Sequence, residues 1–299
     1  MLRGFSAGAG LSVPRVLEFD PLRTRSQFLL FLFFISGGCG LIYEVVWTRL
    51  FVVVIGNTVF SVSAILTVFM GGLALGSRLA GRFIDRGAVP LIRTYALLEA
   101  GIGLYNLLLP LLLAAANPIF GALYASSFDS FFLLTMARLV IVAALLILPA
   151  TLMGATLPIL IRFYVEKVDT VGTEAGRVYT ANTWGAAAGT ALAGFIMVPI
   201  LGVNATLYVT VVLNLIIAAL AWGYSRTRDT TSAVSTPDSA EPGPRIILFA
   251  MMFSGFAALI NEVAWTRVLG LVVGPTTYAF TLMLTSMIAG LFLLFLSKI

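Results

Sequence analysis

The chain has 299 residues, of which 60% are apolar and 10% are charged, with a mean hydropathy of +1.05 and a formal net charge of +5. Soluble domains carry about 25% charged residues, so this composition excludes a soluble globular protein and indicates an integral membrane protein. The sequence has no histidine and one cysteine, Cys39, which excludes an internal disulfide, a His/Cys zinc site and Ser-His or Cys-His catalysis. We predict no metal site, no cofactor and no catalytic residue in this chain.

Eight apolar segments are long enough to cross a bilayer, because a spanning helix needs about 20 apolar residues. Each is a continuous apolar run without alternation of period two, so we predict helices rather than strands of a β-barrel. Residues 1–27, which precede the first segment, carry four arginines and no cleavable signal pattern. The predicted spans lie at 28–49, 57–77, 93–115, 130–150, 178–200, 205–224, 246–267 and 276–297.

The positions of the basic residues indicate the orientation of these spans. All 18 fall in segments predicted to be cytoplasmic except Arg49, Arg138 and Arg267, and Lys and Arg are enriched in short cytoplasmic loops. Their dispersal between apolar segments argues against nucleic-acid binding. We predict a multi-pass protein of the inner (plasma) membrane, in contact with the lipid bilayer and with both termini cytoplasmic.

The loop between the second and third spans, GRFIDRG at 81–87, contains a short motif. Asp85 can accept hydrogen bonds from a helix N-terminus or an arginine, and Arg86 can hold the inner face near anionic lipid. With Gly81 and Gly87, the motif resembles the loop that major facilitator transporters have at this position: a glycine, three residues, Asp-Arg and a glycine. The motif predicts a tight, basic cytoplasmic loop.

Residues 225–245, SRTRDTTSAVSTPDSAEPGPR, contain almost no large apolar side chain and cannot bury enough surface to fold alone. We predict a cytoplasmic linker that separates a six-helix unit at 28–224 from a two-helix remainder at 246–299. The remainder repeats the beginning of the unit, since LIYEVVWTRL at 41–50 returns as LINEVAWTRV at 259–268. The matched positions include Ser36, Gly37, Glu44, Trp47, Thr48, Arg49 and Gly72, which recur as Ser254, Gly255, Glu262, Trp265, Thr266, Arg267 and Gly290.

A six-helix unit, a cytoplasmic linker and a restart of the same pattern are typical of parallel repeats about an axis along the membrane normal, as in major facilitator transporters. We therefore predict an all-α membrane protein with one such repeat and the first two helices of a second. Together, the segments GLIYEVVWTRL, GNTVFSVSAILTVFMGGLALGS, LPATLMGATLPIL and YTANTWGAAAGTALAGFIMVPILG resemble the membrane portion of the fused major-facilitator/spermidine-synthase family. The resemblance extends over nearly all of residues 28–298.

In that family, a soluble Rossmann-like domain related to aminopropyl- and methyltransferases follows the membrane domain. No segment of this chain has the strand, Gly-rich turn and helix of such a domain, and the sequence reaches Ile299 inside the predicted eighth span. The resemblance implies spermidine-synthase-like activity for a fusion, whereas we expect no synthase chemistry from these residues. If the chain is a piece of a longer product, we expect the enzyme assignment to belong to the remainder.

The repeated phrase puts a carboxylate and a guanidinium in the first span, Glu44 and Arg49, and another such pair in the seventh. A charged side chain deep in a membrane helix costs roughly 2.5–3.5 kcal/mol, so it needs a partner, a cavity or the interface. Glu44 lies about 24 Å from the start of its span, toward the outer leaflet. One interpretation is therefore a solvated helix end with Trp47 as an interfacial anchor.

A second interpretation uses the repeat. If the first and seventh spans face each other, Glu44 could pair with Arg267. Glu262 could pair with Arg49 in the same way. A spacing of five residues places the two charges of one helix about 140° apart, which favours partners on another helix over pairing within one helix. The two pseudo-symmetric ion pairs would lie near the outer face and could form a gate.

A third interpretation turns both carboxylates of the repeat toward a cavity, where they could receive a cation, with Trp47 and Trp265 as cation-π surfaces. Glu99 in the third span is a further carboxylate that suits ammonium groups. Arg138, about a third of the way into the fourth span, needs a carboxylate, a carbonyl or water. Glu99 is its nearest candidate partner, because consecutive helices often pack together.

Two segments are predicted to shape the helices. NTWGAAAG contains Gly185 and Gly189, which form a small-xxx-small face suited to close helix contact. PATLMGATLP contains Pro149, Gly154 and Pro158, which are predicted to end the fourth helix and to form a cytoplasmic turn.

Two classes of function fit these features. The first is a transport-type membrane domain that handles polyamine-like cations, favoured by the repeat and its carboxylates. The second is a non-transporting anchor or scaffold, favoured by the incomplete second repeat, which would need further helices from a second copy of the chain or from another membrane subunit. A synthase-like domain is a further candidate partner for such a scaffold.

Overall fold

The computed structural model describes residues 21–55, 59–87, 89–125, 131–165, 171–226, 245–274 and 277–296, and every regular element in these ranges is helical. Most of the predicted N-terminal segment and most of the predicted linker lie outside the described residues, and residues 21–27 of that segment belong to the first helix. The helices are α1 (Pro21–Ile55), α2 (Val59–Asp85), α3 (Leu91–Ala125), α4 (Phe131–Tyr164), α5 (Val171–Leu192), α6 (Val198–Ser225), α7 (Arg245–Val273) and α8 (Thr277–Leu296), and a π-helical segment, Ala193–Met197, joins α5 to α6.

Six stretches in the described part of the chain are long and apolar enough to cross a membrane, which confirms a helical, multi-pass architecture. One of them, Val171–Ser225, has 55 residues, about 80 Å of helix, whereas a bilayer core is about 30 Å thick. The backbone leaves the helical conformation at Gly202, with φ 81° and ψ 171°, a region that glycine occupies without strain. Tyr278–Gly290 in α8 is apolar but shorter than the other spans.

The chain reverses direction at Gly202. Near the start of α1, the ring of Phe28 lies 5.8 Å from the ring of Tyr224 at the end of α6. Further along α1, Ser36 is linked through Glu99 to Asn214, which precedes Tyr224 by about three turns. The helix α6 therefore runs antiparallel to α1, and residues 171–225 form two helices rather than one long one.

Glycines allow α5 to lie directly against α1, as predicted for NTWGAAAG. A Cβ atom on Gly185 would overlap the carbonyl oxygen of Phe34, and one on Gly189 would overlap the backbone of Gly38. Beyond these contacts, Gly194 of the π-helical segment lies against Thr281 of α8, and Phe195 stacks on Tyr278 with 6.0 Å between ring centroids. The second repeat is thus packed onto the first through α8.

The prediction that PATLMGATLP ends the fourth helix is wrong, because α4 continues through Pro149 and Pro158 to Tyr164. Proline 149 has no N–H to donate to the carbonyl of Leu145, four residues earlier. The Tyr105 hydroxyl of α3 donates to that carbonyl instead, at 2.7 Å. A neighbouring helix thus satisfies the acceptor that the proline leaves open, which is how membrane helices tolerate proline.

The glycine of the same segment has a packing role. A Cβ atom on Gly154 would overlap the backbone of Leu73, and the facing Gly76 of α2 lies equally close to Thr151. The helices α2 and α4 therefore touch backbone to backbone. Of the candidate spans, the one in α1 is the most buried and the one in α7 the least.

Candidate functional site in the intramembrane cavity

A cavity of about 780 Å³ lies between the helices, and all eight contribute to its lining. Most of the lining is aliphatic or aromatic. Its polar groups include Ser36 and Glu44 of α1, Asn182 of α5, Asn214 of α6 and Glu262 of α7. In the part of the chain that the structure describes, the lining has two carboxyl groups and no lysine or arginine.

The two carboxyl groups, Glu44 and Glu262, occupy equivalent positions of the repeat and lie within electrostatic range of each other. Both side chains are buried, with 1% and 4% of their surface exposed. Each has one carboxyl oxygen, Oε2 of Glu44 and Oε1 of Glu262, without a hydrogen-bond partner among the described residues. Each glutamate of the lining therefore has a buried acceptor that the described protein groups do not satisfy.

The repeat also reproduces the local structure around each carboxyl group. The Thr48 hydroxyl donates to the carbonyl oxygen of Glu44 at 2.8 Å, and the Thr266 hydroxyl donates to that of Glu262 at 2.8 Å. A threonine four residues later on a helix can bond in this way and covers the adjacent backbone. In both copies of the repeated sequence, the glutamate therefore lies on a helical turn with the same threonine-to-carbonyl hydrogen bond.

The cross-helix ion pairs of the second interpretation are not formed in the described residues. Glu44 interacts with Glu262 rather than with Arg267, Glu262 has no charged partner of its own, and Arg49 is half-buried without a carboxylate beside it. The reason is the position of α7, which packs on α2 and α8 and faces α1 across the cavity. The carboxyl groups therefore line the cavity, as in the third interpretation.

The two tryptophans of the repeat occupy different environments, and neither lines the cavity. Trp47 is fully buried, where its indole Nε1 donates to Oδ1 of Asn106 at 2.9 Å and its ring stacks on Tyr43 and meets the edge of Phe69. The interpretation of Trp47 as an interfacial anchor is therefore wrong, because the ring is covered by protein. Trp265 is 56% exposed on α7, so neither ring forms the predicted cation-π surface in the cavity.

Glu99 is fully buried in α3 and accepts hydrogen bonds from the Ser36 hydroxyl of α1 and the Asn214 amide of α6. Its predicted pairing with Arg138 is contradicted by the direction of α4. Gly101, two residues after Glu99, packs against Leu152 of α4. Arg138 lies 14 residues from Leu152, about 21 Å along the helix. Arg138 is buried and has an interaction of its own.

The predicted loop motif is partly helical. Gly81 lies inside α2, Asp85 is its last residue, and Arg86 and Gly87 form the turn that follows. Asp85 and Arg86 are exposed. The motif therefore ends a helix at the surface, away from the cavity lining.

Sequence reasoning missed the neutral polar residues Ser36, Asn182 and Asn214, because it weighed only charged groups and packing motifs. Their signal was available, since amides and hydroxyls in membrane helices are costly unless they find partners. Ser36 also belongs to the repeat. In the structure these residues line the same cavity as Glu44 and Glu262, and Glu99 lies behind Ser36 and Asn214.

Scans against protein-family models, curated proteins and solved structures find no match to this chain. The chemistry of the cavity must therefore be inferred from its own residues. A mostly apolar cavity with two carboxyl groups and no basic side chain in its described lining favours a cation or protons over an anion, because an unpaired buried carboxylate is costly.

Proposed function

We propose that this chain is a transport-type membrane domain whose cavity binds a small organic cation of the polyamine kind. The observation that carries the proposal is that Glu44 and Glu262 line the same cavity, whose described lining has no basic side chain. Ammonium groups carry both the charge and the N–H donors that the two carboxyl groups need. The aliphatic walls suit the methylene segments of such a ligand.

The size of the cavity supports a ligand of this class, since small-molecule sites have volumes of about 300–1,000 Å³. The combination of apolar walls with a few polar groups is also typical of such sites. The residues Ser36, Asn182 and Asn214 add hydroxyl and amide groups that can orient an amine. The proposal therefore names a short, flexible cation rather than a metal ion.

The wider architecture is part of the same proposal. Equivalent glutamates of α1 and α7 facing one cavity are what parallel repeats about an axis along the membrane normal would produce. We accordingly propose a major-facilitator-like arrangement, in which α1–α6 form one repeat and α7 and α8 begin another. The resemblance to the membrane portion of spermidine-synthase fusions supports a polyamine-like ligand, and no synthase activity is proposed for these residues.

A non-transporting scaffold is the second candidate, and the exposure of α7 favours it. Leu271 and Val272 are 89% and 79% exposed, and only a small part of this span is buried inside the chain. Such a surface fits lipid, a second copy of the chain or another membrane subunit. In this role, α7 would hold a partner while the cavity stayed without a ligand.

The test is equilibrium binding of spermidine to the purified protein in lipid nanodiscs. We expect Glu44→Gln and Glu262→Gln each to weaken binding by about 10- to 100-fold, because a charged hydrogen bond contributes about 1.5–3 kcal/mol. The matched control is Glu174→Gln, which removes a carboxylate that pairs with Arg177 at 3.0 Å outside the cavity.

Equal affinities for the wild type and for both cavity variants would contradict the cation site. If no form binds spermidine and native mass measurement shows a stable complex with another subunit, the scaffold function is favoured instead. Binding by Glu174→Gln at wild-type affinity shows that any loss in the cavity variants reflects the site rather than total charge.

A further inference from the structure

Glu99 is a buried carboxyl group that the proposed cation site does not use. Both of its oxygens accept hydrogen bonds, Oε1 from the Ser36 hydroxyl and Oε2 from the Asn214 amide. Glu99 has no exposed surface and does not line the cavity, yet both of its donors do. The carboxyl group is therefore separated from the cavity by a single layer of polar side chains.

The Ser36 hydroxyl can change the direction of its hydrogen bond, whereas the Asn214 amide cannot do so without turning over. A hydroxyl has one donor and two acceptor positions, and its hydrogen rotates to suit its partners. When Glu99 carries a proton, the carboxyl group can donate to Ser36 Oγ. The hydrogen of Ser36 must then turn to another acceptor, and Ser36 lines the cavity.

An unsatisfied acceptor lies next to this position. The carbonyl oxygen Oδ1 of Asn214 is buried and has no hydrogen-bond partner among the described residues. Asn214, like Ser36, lines the cavity, and a water molecule between the two side chains could bridge them. Ser36 and Asn214 together thus provide a path of hydrogen bonds between the cavity and Glu99.

We propose that Glu99 is a proton-binding site loaded from the cavity, with Ser36 as the positioning residue that passes the protonation state of Glu99 to the cavity wall. A solvent proton reaches Glu99 through water in the cavity, which is neutral before and after the transfer, and it leaves by the same path. No other co-reactant is needed. The site takes a proton rather than a metal ion, because the structure shows no cluster of three metal-ligating side chains in the residues it describes.

The surroundings of Glu99 contain few groups that could titrate in its place. The titratable groups that face it are Cys39 and Tyr43 of α1 and Tyr95 of its own helix, and α6 brings the neutral amide of Asn214. On α4, which also packs on α3, the buried cation is Arg138, about 20 Å away along the helix axis.

The proton site also predicts a coupling to the cation, and this step alone rests on the proposed function. Ser36 precedes Glu44 by eight residues on α1, about 12 Å, and both line the cavity. An ionised Glu99 attracts a cation bound at Glu44, and the effect of the cation on the proton is reciprocal. Protonation of Glu99 is expected to weaken cation binding about tenfold, as for two charges roughly 12 Å apart at a surface-like dielectric.

The direct test needs no ligand. Infrared difference spectra of the full chain in lipid, recorded between alkaline and acid pH, report the carbonyl stretch of a protonated carboxyl group. We expect a band that is absent in Glu99→Gln and present in Glu44→Gln. In Ser36→Ala the same band should shift to higher frequency, because one hydrogen bond to the carboxyl group is lost.

The matched control is Ser254→Ala, since Ser254 is the counterpart of Ser36 in the repeat and is exposed on α7. A wild-type spectrum without any pH-dependent carboxyl band would overturn the proposal, and so would a full set of bands in Glu99→Gln. If Glu99→Gln does not fold, a band that is identical in Ser36→Ala and the wild type would overturn it.

The coupling is tested by the pH dependence of spermidine affinity. We expect affinity to rise with pH in the wild type and this dependence to be weaker in Glu99→Gln, in which Glu44 and Glu262 of the cation site can still bind protons. A dependence unchanged in Glu99→Gln would overturn the coupling. If spermidine does not bind at any pH while the infrared band behaves as expected, the proposed cation is wrong and the proton site stands.

Discussion

At the scale of single residues, the two copies of the repeated phrase have the same chemistry but different surroundings. Trp47 is covered by protein and its indole N–H is bonded to Asn106, whereas Trp265, its counterpart, has more than half of its surface exposed. The Asn106 amide in turn donates to the carbonyl oxygen of Ile102 at 3.0 Å. A buried chain of hydrogen bonds therefore joins α1 to α3 in the first copy.

This difference predicts unequal effects of one substitution. Trp47→Phe should lower the free energy of unfolding by about 1–2 kcal/mol, because Oδ1 of Asn106 loses its donor in a buried place. Trp265→Phe should change it by less than about 0.5 kcal/mol, as surface substitutions usually do. Thermal unfolding of both variants in one detergent measures the difference, and equal shifts would contradict the buried hydrogen bond.

The special status of the carboxylates could be predicted from the sequence, but not their surroundings. Glu44 and Glu262 were identified by their rarity in apolar spans and by their repetition. Which group each of them faces depends on where α7 packs, and no local pattern encodes that position. The pairing of Glu99 with Arg138 failed for the same reason, since adjacency of two helices does not fix the level at which their residues meet.

At the scale of helices, small residues determine which pairs of helices can lie in close contact. Gly37 of α1 lies against the carbonyl oxygen of Asn182, so a Cβ atom there would overlap the backbone of α5. Its counterpart in the repeat, Gly255 of α7, has no heavy atom within 4 Å of that position. The same helical position is thus a contact in one copy and open in the other.

The two glycines therefore form a matched pair for substitution. Gly37→Ala should lower the free energy of unfolding by about 1–3 kcal/mol, because the added methyl group overpacks a backbone contact. Gly255→Ala should leave stability unchanged or raise it slightly, since alanine favours a helix more than glycine does. Chemical or thermal unfolding distinguishes the two, and a tolerated Gly37→Ala would show that α1 and α5 are further apart than described.

The helices themselves were predictable wherever the apolar run was continuous, and their irregularities were not. The sequence around Pro149 predicts a helix end, because proline lacks the N–H that would bond to the carbonyl four residues earlier. The donor that bonds to this carbonyl instead, Tyr105, comes from another helix. Gly202 shows the opposite case, because the predicted gap between the fifth and sixth spans coincides with a real break. A local sequence pattern predicts the conformation correctly when residues of the same segment determine it, and not when a residue of another helix does.

At the scale of the whole molecule, the orientation in the bilayer stays a prediction from the distribution of basic residues. It assigns the end of α6 and the turn after α2 to the cytoplasm and the end of α7 to the outside. Arg226 and Val273 are exposed at two of these ends. Cys39 is buried and can be replaced by serine to give a background without cysteine.

In that background, a membrane-impermeant maleimide should label Val273→Cys in intact spheroplasts. It should label Arg226→Cys only after the membrane is permeabilised, because α6 and α7 are predicted to be joined on the cytoplasmic side. The Cys39→Ser protein alone provides the unlabelled control. Labelling of Arg226→Cys in intact spheroplasts would contradict the predicted orientation but would not bear on the cavity.

The account depends most on the meeting of Glu44 and Glu262 across one cavity, and cross-linking measures it directly. In the Cys39→Ser background, a short thiol-specific bifunctional reagent is applied to Glu44→Cys combined with Glu262→Cys, and to Glu44→Cys combined with Arg267→Cys. The structure predicts fast cross-linking of the first pair and slow cross-linking of the second, because the side chain of position 262 faces the cavity while that of 267 is exposed. Faster cross-linking of the second pair would restore the ion-pair arrangement and contradict the shared carboxyl site.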